Sequence, residues 1–388
     1  MDLDLTAAER AFRAEARGWL AAHVPRAPLA SLETRRGFAE HRSWERVLSE
    51  GGWSAVSWPR RFGGREASLV EWLLFEEEYY AAGAPGRVSQ NGIHLLAPTL
   101  FAHGTDEQRA RLLPPMASGE TVWAQAWSEP DSGSDLASLR SAAVRTEGGW
   151  LLKGHKTWSS RAAFADRAFG LFRSHPGADR PHRGLTYVMF PLDAHGVTVR
   201  PIGRLDGKPA FAEIFLDDVF VPDADVIGEP GQGWRVAMST AGTERGLTLR
   251  SPGRFAASAR RLLALWRAEG GDGGDAGGGG TGLGERVADA VIRARAYQLY
   301  GYARASRDAG DGPPGAESSL TKVFWSELDL ALHETALDLL GPSGEPADGD
   351  WAQGWTFALA GPLYAGTNEI QRDVIAERLL GLPKGRRG

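Results

Sequence analysis

Apolar positions recur along the first third of the chain with a helical period. Thr6-Ala-Ala-Glu9 is a capping-box pattern, in which the threonine hydroxyl and the glutamate carboxylate each take an amide of the first turn. Behind it Phe12, Ala16, Trp19 and Leu20 fall at helical spacing, and Pro25 closes the element. Phe38, Trp44, Val47 and Leu48 mark a second helix that stops at Gly51-Gly52. The runs "SLVEWLLFEEEYYAA" and "GIHLLAPTLFAHG" continue the pattern, with Pro98 interrupting the latter. "TDEQRARLLPPMASGE" predicts one more short amphipathic helix, halted at Pro114-Pro115.

Near residue 121 the period changes. "SAAVRTEGGWLLKGHKTWSS" holds two strand-like segments around a Glu-Gly-Gly turn, a hairpin signal. "GLTYVMFPL", "GVTVRPIG" and "FAEIFLDDVFVP" follow, rich in β-branched and aromatic residues and separated by Gly, Pro and Asp. From Trp234 the helical pattern returns and holds to the end. It is broken by Gly270 to Gly284, where ten of fifteen residues are glycine, a composition that predicts a flexible surface loop. That stretch lacks the Gly-Lys-Ser/Thr ending and the preceding strand of a phosphate loop. The expected organisation is a helical region over 1–120, an all-β region over 121–232 and helices over 233–388.

Composition narrows the function classes. With 388 residues the chain is long enough for two or three domains, and 42% hydrophobic and 24% charged residues place it among globular proteins. A formal net charge of −5 gives no reason to expect nucleic acid or an anionic membrane as partner. The absence of cysteine excludes disulfides, thiolate metal sites and a cysteine nucleophile. The histidines show no ligand spacing, so no metal is expected. The charged N-terminus and the lack of a long apolar run make a soluble cytoplasmic protein the expectation.

Four stretches could carry chemistry, and each has a plain structural reading beside it. "AQAWSEPDSGSDLASLR" (124–140) is dense in turn formers and could be a solvent loop. Beside that prevailing reading stands a functional one, in which it presents the amides and hydroxyls of Ser128 and Ser134 to a flat ring and a pyrophosphate, since a backbone donates closely only where side chains are small. In "KGHKTWSS" (153–160), Trp158 is either a core tryptophan or a cover for a ring cofactor with Ser160 bonding it. "AGTNEIQ" (365–371) is either an ordinary helix start, with Gly366 turning and Asn368 capping, or a place for a polar cofactor edge. Glu244 and Arg245 lie in "STAGTERGLTLR", where the plain reading is a solvated helix face.

Taken together and in order, "SWPRRFGG" (57–64), "HGTDEQRARLLPPMASGE" (103–120), "SEPDSGSD" (128–135) and "GTNEIQRDVIAERLLGLP" (366–383) resemble the acyl-CoA dehydrogenase flavoprotein family. "HKTWSS", "FLDDVFVP" and "SSLTKVFWSELDLALHETALDLLGP" extend the resemblance over nearly the whole chain. It implies a mainly α fold with a β middle domain: an N-terminal helical domain, a barrel or sandwich, and a C-terminal four-helix bundle. It implies FAD held between the β domain and the C-terminal helices. Gln125, Trp127, Ser128 and Ser134 would line the isoalloxazine and pyrophosphate, Trp158 and Ser160 the other side of the ring, with Thr367 and Glu369 coming from the "GTNEI" turn. Ser134, Arg245 and the amide of Ala365 would contact the substrate, an acyl thioester desaturated between its α and β carbons.

That reaction needs a carboxylate to remove the α-proton. In most of the family it immediately precedes Gly-Thr, where this chain has Ala365. In relatives resembling isovaleryl-CoA dehydrogenase it comes instead from a helix, directly before an arginine, which here matches Glu244 and Arg245. Two departures concern assembly. The glycine-rich stretch replaces an Arg-x-x-Phe-Gly segment that reaches a neighbouring subunit's FAD, and Asp338 stands where a glutamine contact is common. The expected partners are an electron-transfer flavoprotein and further subunits, in a homodimer, homotetramer or heteromer. A flavin oxidase or oxygenase on the same fold, and a non-catalytic subunit, stand as alternatives.

Overall fold

The computed structural model describes residues 4–245, 250–269, 282–307, 316–346 and 348–384, with the helical backbone alone at 243–245. The order along the chain is helices, strands, helices. Helices α1 (Ala7–His23), α2 (Arg35–Glu50), α3 (Leu69–Ala81), α4 (Ala97–His103) and α5 (Asp106–Ala117) come first. Strands β1 (Trp123–Ala126), β2 (Ala142–Thr146), β3 (Gly149–Ser160) and β4 (Arg167–Arg173) follow, then β5 (Leu185–Pro191), β6 (Val197–Ile202), β7 (Phe211–Pro222) and β8 (Val226–Ile227). Helices α6 (Gly233–Arg245), α7 (Pro252–Ala268), α8 (Leu283–Arg307), α9 (Glu317–Leu340), α10 (Asp350–Ala358) and α11 (Asn368–Val374) complete the described chain.

The chain divides into two compact units. One comprises residues 25–67 and 85–244. Its strands form one eight-stranded sheet in the order β6-β7-β3-β2-β4-β5-β8, with β1 parallel to β4. The predicted hairpin is β2–β3, turning at Gly148 with φ +69°. Strand β4, which the alternation did not announce, is buried at every interior position, so it carries no period-two signal. Inside this unit Glu45 of α2, fully buried, receives Arg87 Nε at 2.8 Å and the Ser89 amide at 3.1 Å, which fixes the approach to α4. Before α4 the helical backbone widens into a π-turn over Gly92–Leu96, with Ala97 N donating to Gly92 O, and Pro98 follows directly in α4. Pro114 and Pro115 do not halt α5 as predicted. They occupy its last turn, and their carbonyls accept from Ser118 and Thr121 at 3.1 and 2.9 Å.

The other unit comprises residues 1–24, 68–84 and 245–388. Helix α1 begins with the predicted capping box: Glu9 N donates to Thr6 Oγ1 at 3.2 Å and Thr6 N to Glu9 Oε2 at 2.7 Å. Helices α3, α7, α8 and α9 pack around Phe255, Tyr297, Trp325, Leu328 and Leu332, each at most 2% exposed. The α3–α7 crossing depends on Gly253, because a Cβ there would stand 2.8 Å from the Glu76 carbonyl oxygen and 2.9 Å from the Glu77 nitrogen. Gly253→Ala is therefore expected to lower stability by about 1–3 kcal/mol. A thermal melt unchanged from wild type would show that the crossing has slack.

Candidate functional site

The residues predicted to face a cofactor lie in both units. In the first, β1 delivers the chain into Trp127 and the loop that ends at Arg140. The loop is closed at its neck by one buried carboxylate. Glu129 accepts the Arg140 amide at 2.7 Å, the Ser141 amide at 2.9 Å and the Lys156 ammonium at 2.8 Å. Lys156, on β3 and fully buried, also donates to Leu171 O at 2.8 Å and Trp127 O at 3.3 Å. A further ladder contact, Thr157 N to Ser128 O at 2.9 Å, fastens the loop to the same strand. Burial pushes the Lys156 ammonium down to about 8, against the pull of Glu129. Burial drives Glu129 upward, but Lys156 and the loop amides hold it below the ordinary carboxylate range. Gln125 and Ser128 are half-buried, and Ser134 is exposed toward the loop tip.

Two positions beyond Lys156 the strand changes face. Residues 150, 152 and 156 are buried, so alternation would carry Trp158 inward. The β3–β7 register instead slips between Lys156 and Ser159. At this bulge Trp158 adopts φ +57°, a conformation costing about 1–2 kcal/mol for a residue with a Cβ. Ser159 takes the buried side and Trp158 is 60% exposed, its indole edge-on to Phe211 at 6.0 Å. The core-tryptophan reading thus fails for Trp158, and Ser160 follows it half-buried on the same strand.

In the second unit the turn before α11 is held from beneath. Ala365 and Gly366 have φ of +55° and +77°. Gln371, fully buried, donates from Nε2 to the carbonyls of Ala365 at 3.1 Å and Gly366 at 3.3 Å. Asn368 is not the cap the sequence suggested. Thr367 caps α11, accepting from Ile370 N at 3.3 Å, while Asn368 is buried and accepts from Lys322 Nζ at 2.7 Å and Ser326 Oγ at 3.1 Å. Lys322 and the Asn368 amide both donate to Pro362 O, at 3.1 and 2.8 Å. The carbonyls of the turn are spent inward, whereas the amides of Ala365, Gly366 and Thr367 have no acceptor among the described residues. Glu369 is exposed, and its carboxyl is held low by its own amide and by the Thr367 hydroxyl.

Glu244 and Arg245 end helix α6, and their side chains lie outside the described residues, as do positions 270–281 of the glycine-rich stretch. Asp338 pairs with Arg286 at 2.6 Å, an exposed contact worth little. A surface cleft of about 700 Å³ contains none of the predicted residues, and the cations along it, Arg111 and Arg145, are neutralised by Asp225 and Asp223.

Within each unit taken by itself, the residues present suit the chemistry of a flavin. Trp127 Nε1 and Ser159 Oγ are buried without a partner among the described residues, a condition that calls for an absent ligand or water. Trp158 exposes a large apolar ring at a strained backbone position. The 365–367 amides form the kind of backbone concavity that receives polar or anionic oxygen. Sequence reasoning did not single out Lys156, Lys322 or Ser326. Their sequence neighbours give no signal, because the partners that define them lie far along the chain.

Comparison with known proteins identifies the family. Family models for acyl-CoA dehydrogenase match throughout: the N-terminal domain over residues 6–120, the middle domain over 124–219 and the C-terminal domain over 231–380. The chain is 38% identical over 390 residues to acyl-CoA dehydrogenase IpdE1 of Mycobacterium tuberculosis, covering 97% of this chain and 98% of that protein. The ChsE4–ChsE5 complex from Mycobacterium tuberculosis contains a similar chain, with 30% identity, a TM-score of 0.81, and coverage of 99% and 100%. The Tcur3481–Tcur3483 steroid ACAD gives 28% identity and a TM-score of 0.83, over 99% of this chain and 100% of that one.

Removing the Lys156 ammonium would strand Glu129 in the interior. Lys156→Met is expected to cost about 3–5 kcal/mol in denaturant unfolding at neutral pH. The folded-state value for Lys156, about 8, lies below the 10.5 of the free amine. Between those values the unfolded chain binds more protons, so wild-type stability relative to the variant should rise with pH across that window. A gap that narrows there would mean that Glu129 outweighs burial and holds the ammonium above its ordinary value.

Proposed function

The chain belongs to the acyl-CoA dehydrogenase family of FAD-dependent oxidoreductases, and from that premise we propose that it desaturates a steroid-derived acyl-CoA thioester with Glu244 as the base. The observation that carries the reading is Ala365. The position that would supply the carboxylate has a methyl group instead, while its backbone amide remains without an acceptor among the described residues. The proton must then go to another carboxylate, and Glu244, followed by Arg245 at the end of α6, is the candidate.

An α-proton of a thioester is weakly acidic, so the acceptor must be a carboxylate shielded enough to have its pKa raised toward working pH. Glu244 would take that proton, while the Ala365 amide would donate to the thioester oxygen as negative charge develops there. Gln125, Trp127, Ser128, Ser134, Trp158, Ser160, Thr367 and Glu369 would hold FAD. The cofactor, when bound, supplies the acceptor for the β-hydride. Ser134 and Arg245 would steady the thioester, and an electron-transfer flavoprotein would take the electrons onward.

The steroid assignment draws support from the relative described as a steroid ACAD, which matches this chain over nearly its whole length. Assembly with a second, related chain draws support from the ChsE4–ChsE5 complex and from Asp338, which stands where a glutamine would reach a neighbour's FAD.

The test is the visible spectrum of the purified protein under anaerobic titration with a straight-chain acyl-CoA, a branched acyl-CoA and a steroid-acid CoA thioester. Bleaching is expected with the steroid thioester in wild type, and bleaching at least ~10²-fold slower in Glu244→Gln. Equal bleaching in the variant would remove Glu244 from the reaction. Bleaching by the straight-chain thioester alone would remove the steroid assignment. A colourless protein that gains FAD only with a second subunit would make the heteromer the working enzyme.

A further inference from the structure

Three hydroxyls meet in the interior of the unit that carries α6. Thr99 of α4, Tyr187 of β5 and Thr240 of α6 are all fully buried. Thr240 Oγ1 lies 2.7 Å from Thr99 Oγ1 and 3.2 Å from the Tyr187 hydroxyl, and Thr99 Oγ1 donates to Leu95 O at 2.8 Å. One set of donors serves all three contacts, with Thr99 donating to Leu95 O, Thr240 to Thr99 and Tyr187 to Thr240, although either hydroxyl of each pair can be the donor. Thr240 Oγ1 also lies 3.2 Å from Val236 O of its own helix, a second acceptor within the same cluster.

The acceptor at the end of this chain is a carbonyl of the π-turn Gly92–Leu96, an irregularity that tends to mark functional places. At its start, the Tyr187 ring stands edge-on to Trp127 at 6.3 Å and stacks on Phe169 at 6.1 Å. Thr240 is four residues before Glu244 on the same helix, so positions 240 and 244 share a face one turn apart.

We propose that the linked hydroxyls of Tyr187, Thr240 and Thr99, tied to Leu95 O, fix the rotation and register of α6 and make Thr240 and Tyr187 positioning residues for the base at position 244. The inference rests on the Glu244 reading. A hydroxyl chain resists rotation of α6 because each link is directional, whereas apolar packing alone would tolerate a small turn of the helix. A displacement of about 1 Å at a reacting group costs about 10²-fold in rate.

The experiment compares Thr240→Val, Thr240→Ser and Tyr187→Phe holoenzymes with wild type, by two measurements. The first is amide hydrogen exchange along α6 and the sheet. The second is anaerobic flavin reduction by the steroid-acid CoA thioester, with its binding constant and the flavin spectrum recorded. Thr240→Val and Tyr187→Phe should speed exchange in α6 at least ~10-fold with the sheet unchanged. They should slow reduction by ~10- to 100-fold with thioester binding unchanged, and Thr240→Ser should restore both. Faster α6 exchange with an unchanged reduction rate, or loss of FAD together with sheet protection, would reduce the chain to a structural contact and overturn the proposal. Unchanged exchange in α6 would overturn it irrespective of any substrate. Reduction that survives Glu244→Gln would sink the base assignment separately.

Discussion

The ion pair of Lys156 with Glu129 is the constraint on which the polar loop and the strand beside it depend in the larger unit. Burying an ammonium and a carboxylate is costly, and the cost is offset only when both are fully hydrogen-bonded. Here Lys156 donates to Glu129 and to the carbonyls of Trp127 and Leu171, and Glu129 accepts the amides of Arg140 and Ser141. The pair therefore determines where Trp127 leaves β1, where the polar loop closes, and which face of β3 is interior. The bulge after Lys156 then turns Trp158 outward while Ser159 takes the core side. One lysine and one slipped register set both the loop and the exposed ring.

The smaller turn before α11 is built on the same principle with different chemistry. Lys322, also fully buried, donates to the Pro362 carbonyl and to the amide oxygen of Asn368 rather than to a carboxylate. Gln371 draws in the carbonyls of Ala365 and Gly366. In the larger unit the buried pair takes loop groups of both kinds, the Trp127 carbonyl on Lys156 and the Arg140 and Ser141 amides on Glu129. In the turn before α11 the carbonyls alone are drawn inward and the N–H edge is left facing away. Polar loops rich in small residues acquire a defined donor surface in this way without a regular element behind them.

Much of this was legible in the residues. Amphipathic spacing located α1 to α3, the Glu-Gly-Gly turn located the β2–β3 hairpin, and the ordered motifs located the family. The failures share a physical cause. Strand β4 is buried on both faces and so shows no alternation, and β1 is four residues long, too short to display a period. Pro114 and Pro115 read as breakers because each lacks an amide for the carbonyl four residues back, yet α5 carries both in its last turn and ends only at Ala117. Trp158 could not be told from a core tryptophan, since a bulge is a property of the pairing with β7 rather than of the strand itself. Lys156 looks like any polar strand residue until Glu129, 27 residues earlier, is brought beside it.

The substitution at 365 has a consequence for how such a site can change. Where one residue supplies both the base and the amide that bonds the thioester oxygen, any shift of its backbone moves both groups together. With alanine at 365 and glutamate at 244, the two tasks would rest on separate supports. The amide is set by Lys322, Asn368 and Gln371, all buried beneath the turn. Position 244 is set by α6, whose buried anchor is Thr240 one turn earlier. Substitutions that reposition α6 to suit a bulky acyl group would leave the amide at 365 where Gln371 and Asn368 hold it. The strained φ of Ala365 is tolerated because its carbonyl is held by Gln371 and owes nothing to the side chain that is missing.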